Sequence, residues 1–437
     1  MAHNRHLIWD KGSSSVDERI QQFLAGEDIR LDAVLLSYDI KASIAHVHGL
    51  ARIGILTAAE SDRLGQALDD LEARRASGDF VLDDRFEDGH SAIESDLIEH
   101  LGDLGKKVHT GRSRNDQIQV ALRLYMKEAL AGMTGPVSDA AGACLDLAER
   151  EQMTPMPGYT HLQRAVPSSV GLWMAAYAEA FIDNLHLLKM TARWIDTCPL
   201  GTAAGFGVNL PLDRDAVSEE LGFARLQVNP MYAQNSRGSH EIQVLSALGQ
   251  VMLTIRRLAW DLSLFTTSEF NFITLPDTMT TGSSIMPNKR NPDVVELLRT
   301  PCGVVWAALM EIQNVLALPA GYHRDLQATK PPLVRGITAA LQAAAIIPDL
   351  VGNLTLDRQR MADAIDQSMY QTDRAVEAAR SGIPFRDAYR SAAAATAGGE
   401  AATDSRTPAQ SLEARMSPGA CADLRLDVLR QRLGAPC

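Results

Sequence analysis

The chain has 437 residues, of which 46% are hydrophobic and 22% charged. This is the composition of a soluble globular protein with a large core. A formal net charge of −12 makes nucleic acid and anionic membranes poor partners, so any anion-binding site must be local. The five cysteines include no Cys-x-x-Cys pair, the N-terminus shows no apolar signal segment, and no apolar run approaches the ~18 residues of a membrane span. We therefore expect a cytoplasmic protein with free thiols.

Helical periodicity dominates the sequence. Apolar side chains recur at helical spacing over residues 118–133, and residues 168–195 form a second long candidate helix. The most regular pattern covers residues 242–265, where eight apolar side chains follow each other at steps of three and four. Strand-like alternation is scarce, and aromatic residues make up only 5% of the chain. The sequence predicts an all-α fold with a bundle of long helices.

Clusters of Gly and Pro divide this helical pattern. We predict an N-terminal helical domain over residues 1–108 and a central long-helix bundle domain over residues 109–353. The segment over residues 354–437 is rich in Ala and has weaker periodicity. It predicts a small C-terminal helical domain.

The first segment that indicates chemistry is His-Thr-Gly-Arg-Ser-Arg-Asn-Asp-Gln at residues 109–117. It lies directly before a predicted helix, whose N-terminal N–H groups and dipole favour a bound carboxylate. Arg112 and Arg114 could add guanidinium donors, and Ser113 and Asn115 could add shorter ones. A helix cap with solvated arginines is the alternative interpretation.

Three later segments carry further polar groups. Residues 158–164 place Thr160 beside His161, although a lone histidine is more often structural. Residues 282–293 read Gly-Ser-Ser-Ile-Met-Pro-Asn-Lys-Arg-Asn-Pro-Asp, which is typical of a mobile loop that brings a hydroxyl, an ammonium and an amide onto one anion. A weaker cluster contains Tyr322, Gln327 and Lys330.

Neither a metal nor an organic cofactor is expected. The sequence contains no His-Glu-x-x-His motif. The Gly-rich stretch at residues 201–207 lacks the Gly-Lys-Ser/Thr ending of a phosphate-binding loop and does not follow a predicted strand.

The run at residues 282–293 resembles the signature loop of the fumarase/aspartase/argininosuccinate lyase superfamily. Residues 109–117, residues 158–165 and the run from Tyr322 to Lys330 are similar to argininosuccinate lyases in particular. This resemblance extends from about residue 32 to residue 390. It implies a three-lobed, all-helical chain in a homotetramer of the fumarase/aspartase type, with each active site shared by three subunits. The implied activity is the reversible β-elimination of argininosuccinate to arginine and fumarate.

The resemblance also implies residue roles. Ser283 takes the proton, Lys289 and Asn291 hold the carboxylate, and His161 serves the leaving nitrogen while Glu296 orients its ring. An unperturbed serine is a weak base, so the sequence leaves open whether Ser283 and His161 exchange roles. The matching substrate-binding positions are Asp32, Asn115, Thr160, Arg237, Tyr322, Gln327 and Lys330.

Two other functions stay open from the sequence. One is a related succinyl-amine lyase such as adenylosuccinate lyase, because Lys-Arg-Asn-Pro at residues 289–292 also occurs in that group. The other is a non-catalytic protein like the lens crystallins that share this fold.

Overall fold

The computed structural model describes residues 26–83, 85–397 and 405–435, together with residues 19, 20 and 23. The described chain is mostly helical, as the sequence predicts. Its α-helices, numbered in chain order, are α1 Asp28–Arg52, α2 Ala58–Ser77, α3 Gly89–Leu101, α4 Arg114–Arg150, α5 Val170–Ile195, α6 Arg214–Glu220, α7 Pro230–Asn235, α8 Ser239–Phe265, α9 Asp293–Leu297, α10 Pro301–Val315, α11 Lys330–Gly352, α12 Arg358–Asp363, α13 Gln371–Arg380, α14 Phe385–Ala397, α15 Pro408–Glu413 and α16 Leu426–Gly434.

The strands are short and pair two by two. The longest pair is an antiparallel hairpin that no sequence pattern indicated, and the other three pairs have two residues per strand. The pairs are β1 Pro155–Thr160 with β2 Gln163–Ser169, β3 Thr197–Cys198 with β4 Arg225–Leu226, β5 Ile273–Thr274 with β8 Thr355–Leu356, and β6 Thr281–Gly282 with β7 Arg290–Asn291. Short 3-10 turns occupy Gly102–His109, Asp277–Met279, Arg324–Thr329 and Gln367–Tyr370.

Local chemistry sets several helix ends. Helix α2 begins with a capping box, in which Thr57 Oγ1 accepts from the backbone N–H of Glu60 and the Glu60 carboxylate accepts from that of Thr57. The helix ends at Gly78, whose φ of +85° is the left-handed conformation that glycine adopts without strain. Asp88 caps helix α3 in the same way as Thr57 caps α2.

The long helices pack through the apolar stripes that the sequence shows. Of the eight apolar residues of helix α8 that define the pattern, all except Ile242 are buried. Each buried Leu, Met or Ile contributes about 1.5–3 kcal/mol of hydrophobic free energy. Helix α11 approaches α8 closely at Gly336, where a Cβ atom would lie 2.6 Å from Leu245 Cδ2.

By compactness the chain divides into two units. The first contains Met1–Gly132, Leu188–Leu248 and Val304–Ala339, and the second contains Met133–Leu187, Gly249–Gly303 and Ala340–Cys437. The predicted division into three domains stays a prediction.

One helical stretch among the described residues, Arg324–Gly352, is long and apolar enough to cross a membrane by length and composition alone. The core helix of a soluble protein meets the same criterion. In this chain 44% of its most apolar window is buried inside the protein.

Candidate active site

A polar cavity of about 80 Å³ lies in the first unit. Seven of its twelve lining residues are ones that the sequence predicts, and these seven come from four separate stretches of the chain. These seven are Asp32, Arg114, Asn115, Arg237, Tyr322, Gln327 and Lys330. The other five are Glu87, Asp88, His90, Ile118 and Arg324. Cationic and anionic side chains therefore share one cavity, which suits a small ligand that carries charges of both signs.

A buried ion pair forms part of the cavity wall. Lys330, the first residue of helix α11, donates from Nζ to Asp32 Oδ1 at 2.7 Å. Asp32 Oδ2 accepts from the backbone N–H of Gly89 at 3.0 Å. Both charged side chains are only 4% exposed. Because an unpaired charge is costly at such depth, each partner keeps the other in place.

A second buried pair joins His90 to Asp39, with 2.5 Å between His90 Nδ1 and Asp39 Oδ2. Burial by itself lowers the pKa of His90, but the charge and hydrogen bond of Asp39, followed by the charges of Asp88 and Asp32, outweigh it and raise the pKa to about 9. The imidazole is therefore a cation at neutral pH and adds positive charge to the cavity.

The side chain of Arg114 connects the cavity to the start of helix α3. Its Nη1 lies 3.1 Å from Glu87 Oε1 and 3.0 Å from Asp88 Oδ2, and its Nη2 donates to Glu87 Oε2 at 3.2 Å. These carboxylates hold the guanidinium at the cavity, beside Asn115 of the same helix.

Arg112 and Ser113 do not line the cavity. Arg112 is buried and donates from Nη1 to Ser43 Oγ at 2.9 Å. Burial lowers the pKa of its guanidinium. Ser113 Oγ accepts from the backbone N–H of Asn115 at 3.3 Å at the start of helix α4. In this chain both side chains support the segment that carries Asn115.

Asp116 also holds the segment at the start of helix α4 in place. Its Oδ1 accepts from the backbone N–H of Ser113 at 2.9 Å, and its Oδ2 accepts from those of Gly201 and Ala203 at 3.0 Å and 2.8 Å. This fully buried carboxylate ties the start of helix α4 to the Gly-rich loop after β3. The Gly-rich stretch therefore has a structural role in positioning the cavity wall.

Thr160 and His161 lie in the second unit, at the tip of the β1–β2 hairpin. Thr160 pairs with Gln163, so His161 and Leu162 form a two-residue turn. Their φ angles are +55° and +58°, the combination typical of a type I′ turn. Both side chains are exposed in the single chain. The hairpin thus presents the imidazole at an outer tip.

The loop at residues 282–293 also belongs to the second unit. Strands β6 and β7 close its base, where Thr281 pairs with Asn291 and Gly282 with Arg290. Ion pairing of Arg290 with Asp277 and a hydrogen bond from Thr281 to Asp293 strengthen this base. The segment between the two strands is exposed except for Ser283, which is half-buried. A loop with a fixed base and an exposed body can close over a ligand as one piece.

Within that loop, the Ser283 hydroxyl is already oriented. Its Oγ accepts from the backbone N–H of Met286 at 3.1 Å and from that of Ile285 at 3.4 Å. Donors aimed at an oxygen stabilise negative charge on it, so this arrangement favours the deprotonated hydroxyl. Lys289 lies on the same loop and is exposed.

Asn291 and Glu296 complete the residues that the sequence selected. Asn291 Nδ2 donates to Gly282 O at 3.3 Å, so in this chain the amide braces the base of the loop. Glu296, which the resemblance pairs with His161, lies on helix α9 and forms an ion pair with Arg299 at 3.8 Å.

Sequence reasoning missed His90, Glu87, Asp88 and Arg324 of the cavity wall. The run Glu-Asp-Gly-His at residues 87–90 places two carboxylates and an imidazole at the start of a helix, and this pattern could have indicated them from the sequence. Among the described residues, no group of three or more His, Cys, Asp and Glu side chains could hold a metal ion.

Known proteins resemble this chain along almost its whole length. The sequence profile of the family described as "Lyase" matches residues 13–307. Argininosuccinate lyase from Xanthomonas campestris pv. campestris (strain B100) is 55% identical over 427 residues, covering 98% of each chain. Argininosuccinate lyase from Sorangium cellulosum (strain So ce56) is 54% identical over 426 residues, again covering 98% of each.

Solved structures share the fold. EDDS lyase, solved in complex with formate, superposes with a TM-score of 0.79 and 25% identity, covering 96% of this chain and 91% of that one. Fumarate lyase:delta crystallin from Brucella melitensis superposes with a TM-score of 0.72 and 18% identity, covering 94% of this chain and 95% of that one.

The profile match, in a mostly helical chain with a polar cavity, places the protein among the lyases. Within that class, the identity of 54–55% to argininosuccinate lyases over 98% of the chain distinguishes one family. The chain belongs to the argininosuccinate lyase family.

Proposed function

We propose that this protein is an argininosuccinate lyase, a carbon–nitrogen lyase that cleaves argininosuccinate reversibly into arginine and fumarate and thereby serves arginine biosynthesis. The observation that carries the proposal is the full-length identity to proteins named argininosuccinate lyase. The mixed-charge cavity supports it, because argininosuccinate carries carboxylates together with cationic amine and guanidinium groups.

In the proposed reaction Ser283 removes a proton from the succinyl carbon beside a carboxylate. The electron pair of that C–H bond forms the double bond of fumarate, and the C–N bond breaks with its pair going to the guanidinium nitrogen. His161 gives that nitrogen a proton, so atoms and charges balance. Lys289 and Asn291 hold the carboxylate on which negative charge develops. The two N–H donors on Ser283 Oγ support its role as the base.

In this proposal different residues bind different parts of the substrate. The cavity residues Asp32, Arg114, Asn115, Arg237, Tyr322, Gln327 and Lys330 hold the carboxylate and amine groups. Thr160 contacts the substrate from the hairpin tip, while Arg112 and Ser113 act by supporting Asn115. No metal or organic cofactor takes part.

We infer further that the enzyme is a cytoplasmic homotetramer with active sites shared by three subunits. Thr160, His161 and the body of the 282–293 loop are exposed in a single chain, whereas the reaction needs a site that excludes water. Association of subunits would cover these groups. The four described cysteines are all buried free thiols, which fits a reducing compartment.

Substrate choice tests the proposal. Argininosuccinate should release fumarate, measured by its ultraviolet absorbance, while adenylosuccinate at the same concentration should release none. Release from adenylosuccinate alone would make the protein the related succinyl-amine lyase. No release from either would favour the non-catalytic, crystallin-like alternative.

The state of assembly is a separate expectation. Light scattering at working concentration should give a mass of four chains of 47.4 kDa each. A monomer that is fully active would exclude a site shared between subunits.

A further inference from the structure

We propose that Asp366 is a positioning residue for His161, acting through Arg164 and Tyr159 of the hairpin. This inference rests on the proposed function, in which His161 supplies the proton to the leaving nitrogen. All four residues belong to the second unit. Asp366 lies about two hundred residues after His161 and outside every motif of the sequence analysis.

The starting point is the strain in the turn that carries His161. Left-handed backbone costs a residue with a side chain roughly 1–2 kcal/mol, yet both residues of this turn adopt it, with φ of +55° and +58°. Neither is a glycine or an asparagine, the residues that favour this turn. Leu162 is 74% exposed, so packing of its own side chain does not hold the turn. The structure that holds it must lie further along the two strands.

The next pair on the strands is suited to that task. Tyr159 lies directly opposite Arg164, one step before the Thr160–Gln163 pair that closes the turn. Burial raises the pKa of Tyr159, and the nearby guanidinium of Arg164 opposes this shift. The Tyr159 ring also packs edge-on against Phe270, with 5.7 Å between ring centroids. The tyrosine side of the hairpin is thus fixed by aromatic packing, and the arginine side needs an anchor of its own.

Asp366 is that anchor. Arg164 Nη1 donates to Asp366 Oδ2 at 2.9 Å, and this hydrogen bond is the main cause that raises the pKa of Arg164. The other oxygen, Oδ1, accepts from the backbone N–H of Ser368 at 2.9 Å and from its hydroxyl at 2.5 Å. The carboxylate therefore joins the hairpin to the 3-10 turn Gln367–Tyr370 with both of its oxygens.

This geometry assigns Asp366 a measurable role. The pair is partly exposed, 48% at Arg164 and 44% at Asp366, so it adds little to global stability. Its effect is to limit the movement of the imidazole, and a misplacement of about 1 Å at a reacting group costs up to ~100-fold in rate. We expect loss of the anchor to lower kcat roughly tenfold and to leave KM within about twofold.

The experiment compares Asp366→Asn with Ser368→Ala. In Asp366→Asn the amide oxygen still caps the 3-10 turn, while its NH₂ group replaces the acceptor of Arg164. Ser368→Ala removes a bond to the same carboxylate but leaves the one to Arg164, so it should keep the parent kcat. Arg164→Gln, which removes the other partner, should behave as Asp366→Asn does. Thermal midpoints of all three variants should agree within a few degrees.

A double-mutant cycle separates positioning from a general structural effect. If Asp366 acts through the imidazole, Asp366→Asn should change the residual rate of His161→Ala by less than twofold. The inference would be overturned if Asp366→Asn lowered kcat by the same factor in the parent and in His161→Ala. It would also be overturned if Asp366→Asn and Ser368→Ala had the same kcat. If the parent cleaves no argininosuccinate, the proposed function is wrong. If His161→Ala turns over at the parent rate, the proposed role of His161 is wrong. If His161→Ala loses turnover while Asp366→Asn keeps the parent kcat, only the present inference fails.

Discussion

Ser283→Ala is expected to lower turnover at least ~100-fold while the protein keeps its fold, its assembly and its affinity for substrate. Removing one group that stabilises developing charge typically costs about 3 kcal/mol, and removal of the base itself should cost more. The loop geometry gives the reason, because two backbone N–H groups already point at Ser283 Oγ and Lys289 lies on the same loop. Steady-state kinetics with argininosuccinate measures the loss, and substrate binding to the variant is measured separately by calorimetry.

Ser284→Ala is the matched control, since it removes a neighbouring hydroxyl from the same loop. Ser284 is exposed, whereas Ser283 is half-buried by the turn that it caps. The control should therefore lose far less turnover. If Ser283→Ala turns over near the parent rate, Ser283 is not the base, and His161 becomes the leading candidate for that role.

The helices were the part of the fold that the sequence predicted well. Helix α8 shows why, because its apolar side chains repeat at the helical period and nearly all of them are buried. The pattern and the fold have the same physical cause, which is the removal of one face of the helix from water. A helix with such a repeat can therefore be recognised from the sequence without any knowledge of its tertiary contacts.

The β1–β2 hairpin could not be predicted in the same way. Pro155, Pro157 and Gly158 are depleted in strands, and the turn has neither Asn-Gly nor Asp-Gly. Contacts from distant parts of the chain hold it, among them the ion pair of Arg164 with Asp366. Such tertiary contacts override local propensity, and no window of neighbouring residues contains them.

In the candidate site, too, the residues on local motifs could be predicted and those that depend on tertiary contacts could not. Residues on short motifs, such as Asn115 and Lys330, were selected because their neighbours in sequence indicated their chemistry. His90 was missed because its charge depends on Asp39, which lies 51 positions away and raises the pKa of the imidazole only after folding. The sequence shows which groups are available, and the fold decides which of them carry charge at the cavity.

Lys330→Met is expected to lower the free energy of unfolding by about 3 kcal/mol, because it leaves the carboxylate of Asp32 buried without its cation. The two charges are 2.7 Å apart and each side chain is 4% exposed. Turnover should also be lost, since Lys330 lines the cavity that we assign to the substrate. Urea unfolding followed by circular dichroism measures the first effect, and fumarate release measures the second.

Two further variants separate the causes. Arg335→Met removes a cation from the same helix, but its partner Glu311 and Arg335 itself are 47% and 49% exposed. That change should cost less than about 1 kcal/mol. In Asp32→Asn with Lys330→Met the amide oxygen still accepts from Gly89, and stability should return to within ~1 kcal/mol of the parent because no charge is left unpaired. Activity should stay lost in this double variant. A Lys330→Met protein as stable as Arg335→Met would show that the pair is hydrated in solution, and recovery of turnover in the double variant would remove Lys330 from the substrate-binding set.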